Sequence, residues 1–287
     1  MLDTFKALLV FTTLTAAIVT GVGQADEPRG TQRQSHAAAF RLVFSDDFNG
    51  RAGSAPNSHR WKHSTGTGFG NGEIERMTSS RRNVSLDGHG RLLITPVRQR
   101  DGSWTSGRIK TRSAISAPNH GVLRVEASIQ LPQGQNLTGY WPAFWLLGVG
   151  SWPKAGELDL MENINGGNTV YSTFHCGTFP GGPCQEHSGI GVQTDLSSRA
   201  MFHAYRVDLD KSANVPEIRF YIDRKLVGKI ESNSLPRSVW RAATQRLNVI
   251  FDLAIGGWWP GNPAADSTVG APMKIAYVAV YRKGEAG

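Results

Sequence analysis

Cysteine is scarce in this chain, with two residues, Cys176 and Cys184, among 287. Their spacing in "FHCGTFPGGPCQE" matches no zinc pattern. Charge is thin as well: 19% of residues are Asp, Glu, Lys or Arg, which excludes a disordered polyelectrolyte. Helix-type periodicity is almost missing, and only "RSVWRAATQ" could supply a turn or two. No internal repeat and no interdomain linker interrupts the chain. After residue 25 no apolar run approaches transmembrane length. The formal net charge of +8 comes from scattered basic residues, without any nucleic-acid fold signature. It reads as solubility and surface adhesion, and nucleic acid is excluded as a partner.

What is abundant points the other way. Glycine (33), proline (14) and eight tryptophans describe a turn-rich chain with an aromatic-lined surface. Short apolar or alternating segments recur from Phe40 onward between Gly, Pro, Asn and Asp turns. In "VLRVEASIQL", Leu123, Val125, Ala127, Ile129 and Leu131 alternate with polar partners, the pattern of a half-buried strand. "EIRFYIDRKLVGKI" reads as a hairpin turning at residues 223–225. The expected class is all-β, a sandwich or barrel, with one domain over residues 40–284.

Residues 7–25 carry no charge, Lys6 precedes them, and Gly23 and Ala25 occupy the −3 and −1 positions of a cleavage site. Residues 1–25 are therefore expected to be a signal peptide, with a membrane anchor as the alternative; Asp3 is atypical of such a signal. Residues 26–39, "DEPRGTQRQSHAAA", read as a disordered leader. The mature protein is expected to be secreted and free of stable membrane association. In that compartment Cys176 and Cys184 are expected to form a local disulfide, with a metal held alongside His175 as the alternative.

The stretch "AGELDLMENIN" places three carboxylates, Glu157, Asp159 and Glu162, within six residues of an apolar strand. Glu157 and Asp159 share a face by strand alternation, whereas Glu162, five residues from Glu157, should point away. A β-bulge at Leu160 and Met161 absorbs the odd residue and returns Glu162 to the common face. Glycoside hydrolysis needs such a pair, one carboxylic acid to protonate the leaving oxygen and one carboxylate about 5–5.5 Å away to attack. The competing readings are a solvated acidic edge or a calcium site.

"WPAFWLLG" and "WPKAGELDLMENING" resemble the core of glycoside hydrolase family 16, the laminarinase and β-glucanase group, whose E-[ILV]-D-[ILV]-x-E motif is the bulged form. "GFGNGEIERMT", "TSGRIKT", "GVLRVEASIQLPQG", "FDLAIGGWWPGNP" and "MKIAYVAVYRK" extend the resemblance over about residues 43–282. It implies a concanavalin A-like β-jelly-roll sandwich with a carbohydrate cleft on its concave face, and a retaining reaction. By position it implies Glu157 as nucleophile, Asp159 as its assistant and Glu162 as acid/base. Trp141 and Trp145 would line the cleft, with Trp152 close to the motif, although tryptophans also serve as core. Asn71, Glu73 and Arg108 resemble positions that bind sugar hydroxyls; for Arg108 a strand-edge salt bridge is the alternative. His175 would contact sugar or support the disulfide loop. Of Trp258 and Trp259, one would face sugar, with Trp258 the candidate, and the other would pack. Ala276 stands where many members keep a calcium-binding Asp, leaving Asp46 and Asp47 without that partner, so no cofactor is expected. The expected substrate is a neutral β-linked polysaccharide, β-1,3- or β-1,3-1,4-glucan, cleaved by a monomer. Alternatives are a β-galactan (β-1,3-galactan or agarose) hydrolase, a transglycosylase, and a non-catalytic glucan-binding protein.

Overall fold

Strands dominate the regular structure of the computed structural model, which describes residues 39–284. The expected signal peptide and all but the last residue of the leader lie outside the described residues. One sheet contains eight strands: β1 (Arg41–Asp46), β4 (Val84–Leu86), β5 (Leu92–Ile94), β10 (Val122–Gln130), β15 (Phe202–Asp210), β16 (Glu217–Ile222), β17 (Lys225–Glu231) and β19 (Met273–Lys283). The second also has eight: β2 (Trp61–His63), β8 (Arg108–Thr111), β9 (Ile115–Ser116), β11 (Tyr140–Gly148), β12 (Glu157–Glu162), β13 (Thr169–His175), β14 (Ile190–Asp195) and β18 (Arg246–Ile255). A small third sheet joins β3 (Arg76–Met77), β6 (Val97–Arg98) and β7 (Trp104–Ser106). Both large sheets are antiparallel, and together they form the jelly-roll sandwich. Among the described residues the α-helix α1 (Arg237–Ala243) forms within "RSVWRAATQ", where a turn or two was expected.

The core lies between the sheets and is filled by alternate residues of each strand. Leu123, Val125, Ala127 and Ile129 of β10 point inward, as their period of two requires. They meet Tyr205, Val207 and Leu209 of β15, and Leu247, Val249, Phe251 and Leu253 from β18 join the same cluster. Phe144 stacks on Phe251 with ring centroids 4.8 Å apart. The hairpin between β16 and β17 turns on two residues rather than three. Asp223 and Arg224 both adopt positive φ (49° and 69°), and Lys225 already pairs with Ile222. That positive-φ pair matches the right-handed twist of the flanking strands.

In the second sheet the order is β14-β13-β12-β11-β18-β8-β2, which puts β12 third from one edge. Its start is fixed by Gly156, whose φ is +84° and whose missing Cβ would lie 2.1 Å from the Ala243 carbonyl oxygen of α1. Any other residue would drive α1 away from the strand. The expected bulge is present. On the β11 side, consecutive Phe144 and Trp145 face Met161 and Asp159, so Leu160 is the extra residue. On the β13 side, Thr173 and Tyr171, two apart, face Asp159 and Glu162, three apart. Leu160 and Met161 are both buried in the core. Replacing Leu160 with Ala should therefore destabilise the fold by about 2–5 kcal/mol, measured as a lower urea midpoint with an unchanged m-value.

Candidate active site

With Leu158, Leu160 and Met161 turned inward, β12 presents Glu157, Asp159 and Glu162 together on the opposite face. Cross-strand register then sets their neighbours. Glu157 lies opposite Leu147 and His175, Asp159 opposite Trp145 and Thr173, and Glu162 opposite Ala143 and Tyr171. Trp141 donates its indole N–H to Glu162 Oε1 at 2.9 Å. Burial raises all three carboxyls. It pushes Glu157 up to about 7 with Glu162 adding to the rise, against the pull of His175 and Arg108. It also pushes Glu162 up to about 7, against the Trp141 hydrogen bond. Asp159, buried between them, is raised well above the ordinary range by burial and then by both glutamates. Three carboxyls this close in a dry site retain protons near neutrality, which supplies both an acid and a carboxylate.

Arg108 and His175 bring positive charge to the row. Arg108 on β8 lies opposite Asp252 on β18, with Nη1 3.6 Å from Asp252 Oδ2. Its guanidinium also sits 4.6 Å from the Trp145 ring and 4.7 Å from Phe69. Trp145 donates to Asp252 Oδ1 at 3.0 Å, which pins its indole as part of the cleft floor. The two readings of Arg108 are thus compatible: it is ion-paired and lines the cleft. His175 Nε2 lies 3.4 Å from Asp159 Oδ2, and His175 Nδ1 lies 2.7 Å from Glu186 Oε2. Glu157, Asp159 and His175 each bring a donor atom within 4.8 Å of the others. We read that closeness as the convergence acid–base chemistry requires, and place no ion there.

The segment before β3 supplies the next wall. Ile74 N–H donates to the Ile255 carbonyl, Ile255 N–H donates to Glu75 Oε2, and Glu73 bridges Gly256. These bonds lay Asn71 and Glu73 beside the end of β18. Glu73 Oε2 and Glu75 Oε1 are buried without another donor. A proton on Glu73 satisfies both by bonding to Glu75. Burial raises Glu73 to about 8, helped by the charges of Asp252 and Glu75; burial raises Glu75 to about 7.

Aromatic rings complete the cleft. Trp258, 77% exposed, lies over Gly72, where a Cβ would come 2.7 Å from its Nε1. Trp259 packs edge-on to Trp141 and Tyr171, with centroids 5.4 and 4.7 Å away. From the other side, the loop closed by the Cys176–Cys184 disulfide brings Phe179 against Trp152 (5.9 Å) and His187 toward Trp258 (6.4 Å).

The structure therefore gathers Asn71, Glu73, Arg108, Trp141, Trp145, Trp152 and Trp258 into one cavity of about 440 Å³ with the three carboxylates. His175 lines the adjoining cavity of about 550 Å³, which also reaches Glu157 and Glu162. Cys176 and Cys184 are bonded as expected. Sequence reasoning missed Asp252, Glu75, Glu186, Phe69, Tyr171, Phe179 and His187. Asp252 carried a signal like that of the β12 carboxylates, an acid in an otherwise apolar strand ("LNVIFDLAI"). Glu75, two residues from Glu73, shared its alternation; Glu186 carried no local signal.

An aromatic-walled cleft on a jelly roll, floored by convergent carboxyls of raised pKa, defines a glycoside hydrolase. The family model described as "XgeA-like, catalytic GH16 domain" matches residues 97–211. A beta-glucanase of Rhodothermus marinus is 31% identical over 277 residues, spanning 88% of this chain and 89% of that one. The solved endo-1,3-beta-glucanase of Streptomyces sioyaensis superposes with a TM-score of 0.83 at 43% identity, covering 86% of this chain and 97% of its own. The endo-beta-1,3-glucanase of Pyrococcus furiosus gives a TM-score of 0.69 at 28% identity, with 87% and 97% covered. The chain belongs to glycoside hydrolase family 16.

The Glu73–Glu75 pair has a measurable consequence for stability. A carboxyl whose folded pKa exceeds its ordinary value binds more protons folded than unfolded across that interval. Folding stability therefore declines as pH rises from the ordinary carboxylate range through about 8. Gln at position 73 keeps a donor for Glu75 without the charge. Differential scanning calorimetry should find Glu73→Gln raised in Tm by roughly 2–4 °C at pH 9, about 1 kcal/mol for a domain of this size, and raised less at pH 5.

Proposed function

We propose that the protein is a secreted, monomeric, retaining endo-hydrolase of β-1,3-glucan. The observation that carries this reading is the bulged β12, which sets Glu157 and Glu162 on one cleft face with Asp159 between them. The names of the relatives, beta-glucanase and endo-1,3-beta-glucanase, support the substrate class. Glu157 attacks the anomeric carbon while the glycosidic C–O bond breaks, and Glu162 delivers its proton to the departing oxygen. The resulting glycosyl ester on Glu157 is opened by water. Glu162, now a carboxylate, takes the water's proton as its oxygen bonds to the anomeric carbon, releasing Glu157. Asp159, between the two glutamates, assists Glu157. Asn71, Glu73, Arg108 and His175 bind sugar hydroxyls, and Trp141, Trp152 and Trp258 offer apolar faces to pyranose rings.

No cofactor enters this scheme. Around Asp46, one of the two acids left without a partner by Ala276, both oxygens already accept N–H groups, from Phe48 at 2.9 Å and the Trp61 indole at 2.8 Å. Arg60 Nη1 stands 3.8 Å from the same carboxylate. A guanidinium beside a carboxylate that already accepts two N–H groups disfavours a divalent cation at Asp46.

Glu157→Gln should lower kcat on laminarin on the order of 10⁴-fold, and Glu162→Gln about 10²–10⁴-fold, both with near-native Tm. Full turnover by Glu157→Gln would sink the mechanism. Digestion of laminarin, lichenan, β-1,3-galactan and agarose, with products sized chromatographically, fixes the polysaccharide; cleavage of a galactan but not laminarin would reassign it. The buried Cys176–Cys184 disulfide supports export to an oxidising compartment. Expressed with residues 1–25 in a secretion-competent host, the exported protein should begin at Asp26 by N-terminal sequencing.

A further inference from the structure

Glu186 is a buried carboxylate to which the reaction just described assigns no part. It lies two residues past Cys184, and its backbone bonds reciprocally with Gly181, N–H to carbonyl at 2.6 and 2.5 Å. The disulfide and this bridge fold the loop back so that residue 186 returns beside residue 175. Its side chain is wholly inaccessible to solvent. One oxygen accepts the Cys176 N–H at 2.8 Å; the other contacts His175 Nδ1 at 2.7 Å. Burying a carboxylate costs several kcal/mol unless a partner offsets it, and the partner available is the imidazole.

With Nδ1–H committed to Glu186, the Nε2 edge of His175 faces Asp159 Oδ2 at 3.4 Å, an oxygen that has no other donor. A bare Nε2 lone pair tolerates Asp159 only while that carboxyl keeps its proton; a second N–H on the ring is attractive once it ionises. Glu157, Asp159 and Glu162 approach the ring from β12 and Glu186 from the loop, while Asp252 and Arg108 complete the charges across the sheet. We propose that Glu186 is a positioning residue that holds His175 as an imidazolium against Asp159 and Glu157, so that the disulfide loop sets the ionisation of the nucleophile. This deepens the retaining mechanism and rests on it. Burial by itself draws His175 downward, but its hydrogen bond to Glu186 and the charges of Glu157 and Glu162 more than offset that, leaving its pKa raised. A charged His175 in turn opposes the rise of Glu157.

The sign of the effect follows. Removing the negative charge at 186 relieves a small direct repulsion on Glu157, but His175 then loses its proton at lower pH and withdraws the larger attraction, so the nucleophile ionises at higher pH. Glu186→Gln keeps the shape and removes the charge. Its kcat/KM profile on laminarin should show the acidic limb moved up by about half a pH unit or more, with kcat lowered about tenfold and KM little changed. Glu186→Asp should restore most of the profile. The His175 imidazole signal, assigned by comparison with His175→Gln, should titrate at lower pH in Glu186→Gln than in wild type. Loss of stability with the acidic limb and the His175 titration both unmoved would overturn the proposal and leave Glu186 a loop anchor. The imidazole titration is read without substrate, so it stands or falls apart from the Glu157→Gln test of the mechanism.

Discussion

One surplus residue in β12 decides which side of the sheet Glu162 occupies. Without the bulge at Leu160, strand alternation would send Glu162 into the core and Met161 out of it. With it, three apolar side chains go down and three carboxyls go up, and the strand keeps pairing on both flanks. The cross-strand neighbours of the carboxyls, His175, Trp145, Tyr171 and Ala143, are selected by the same register. The bulge is therefore more than a local irregularity. It aligns the row across the sheet that runs from Arg108 through Asp252 and Ala143 to Glu162 and Tyr171.

Collecting so many acids in a dry cleft is electrostatically costly, and two kinds of compensation are visible. Some carboxyls have fixed partners: Asp252 has Arg108 and the Trp145 indole, and Glu186 has His175 and the Cys176 amide. Others keep a proton, as Glu73 does against Glu75. Glu157 and Glu162 belong to the second kind, raised by burial with few compensating donors. A group that only just ionises near neutrality can both give and receive a proton during a turnover.

Legibility in the sequence followed the range of the interaction. The β12 bulge was readable because spacing and polarity within six residues contradict plain alternation. The inward residues of β10 were readable for the same reason, and the β16–β17 hairpin nearly so. Its turn was misjudged by one residue because Lys225 joins the strand once Asp223 and Arg224 both take positive φ. Asn71, Glu73, Arg108 and the tryptophans came through resemblance, and their convergence depends on pairings some 180 residues apart, such as Ile255 with Glu75. Glu186 was illegible. Nothing near "PCQEH" indicates that a disulfide and a Gly181 bridge will return it to His175; only the folded loop makes it a neighbour.

The division between sheet and loops explains why reaction class and substrate are written so differently in this chain. Every acid in the row across the sheet, with Arg108 and His175, stands on a strand fixed on both sides by backbone pairing. The exposed rings, Trp152, Phe179, Trp258 and Trp259, stand on connections. Strand positions tolerate little change because one slip inverts a face, whereas connections accept new lengths and side chains at small cost. Selection for a different polysaccharide can therefore act on the disulfide loop and the "GGWWPG" turn while the carboxylate row stays intact. The loop is not wholly free, however. Through Glu186 and His175 it also touches the row, so a loop that walls the cleft is physically tied to the carboxyls at its floor.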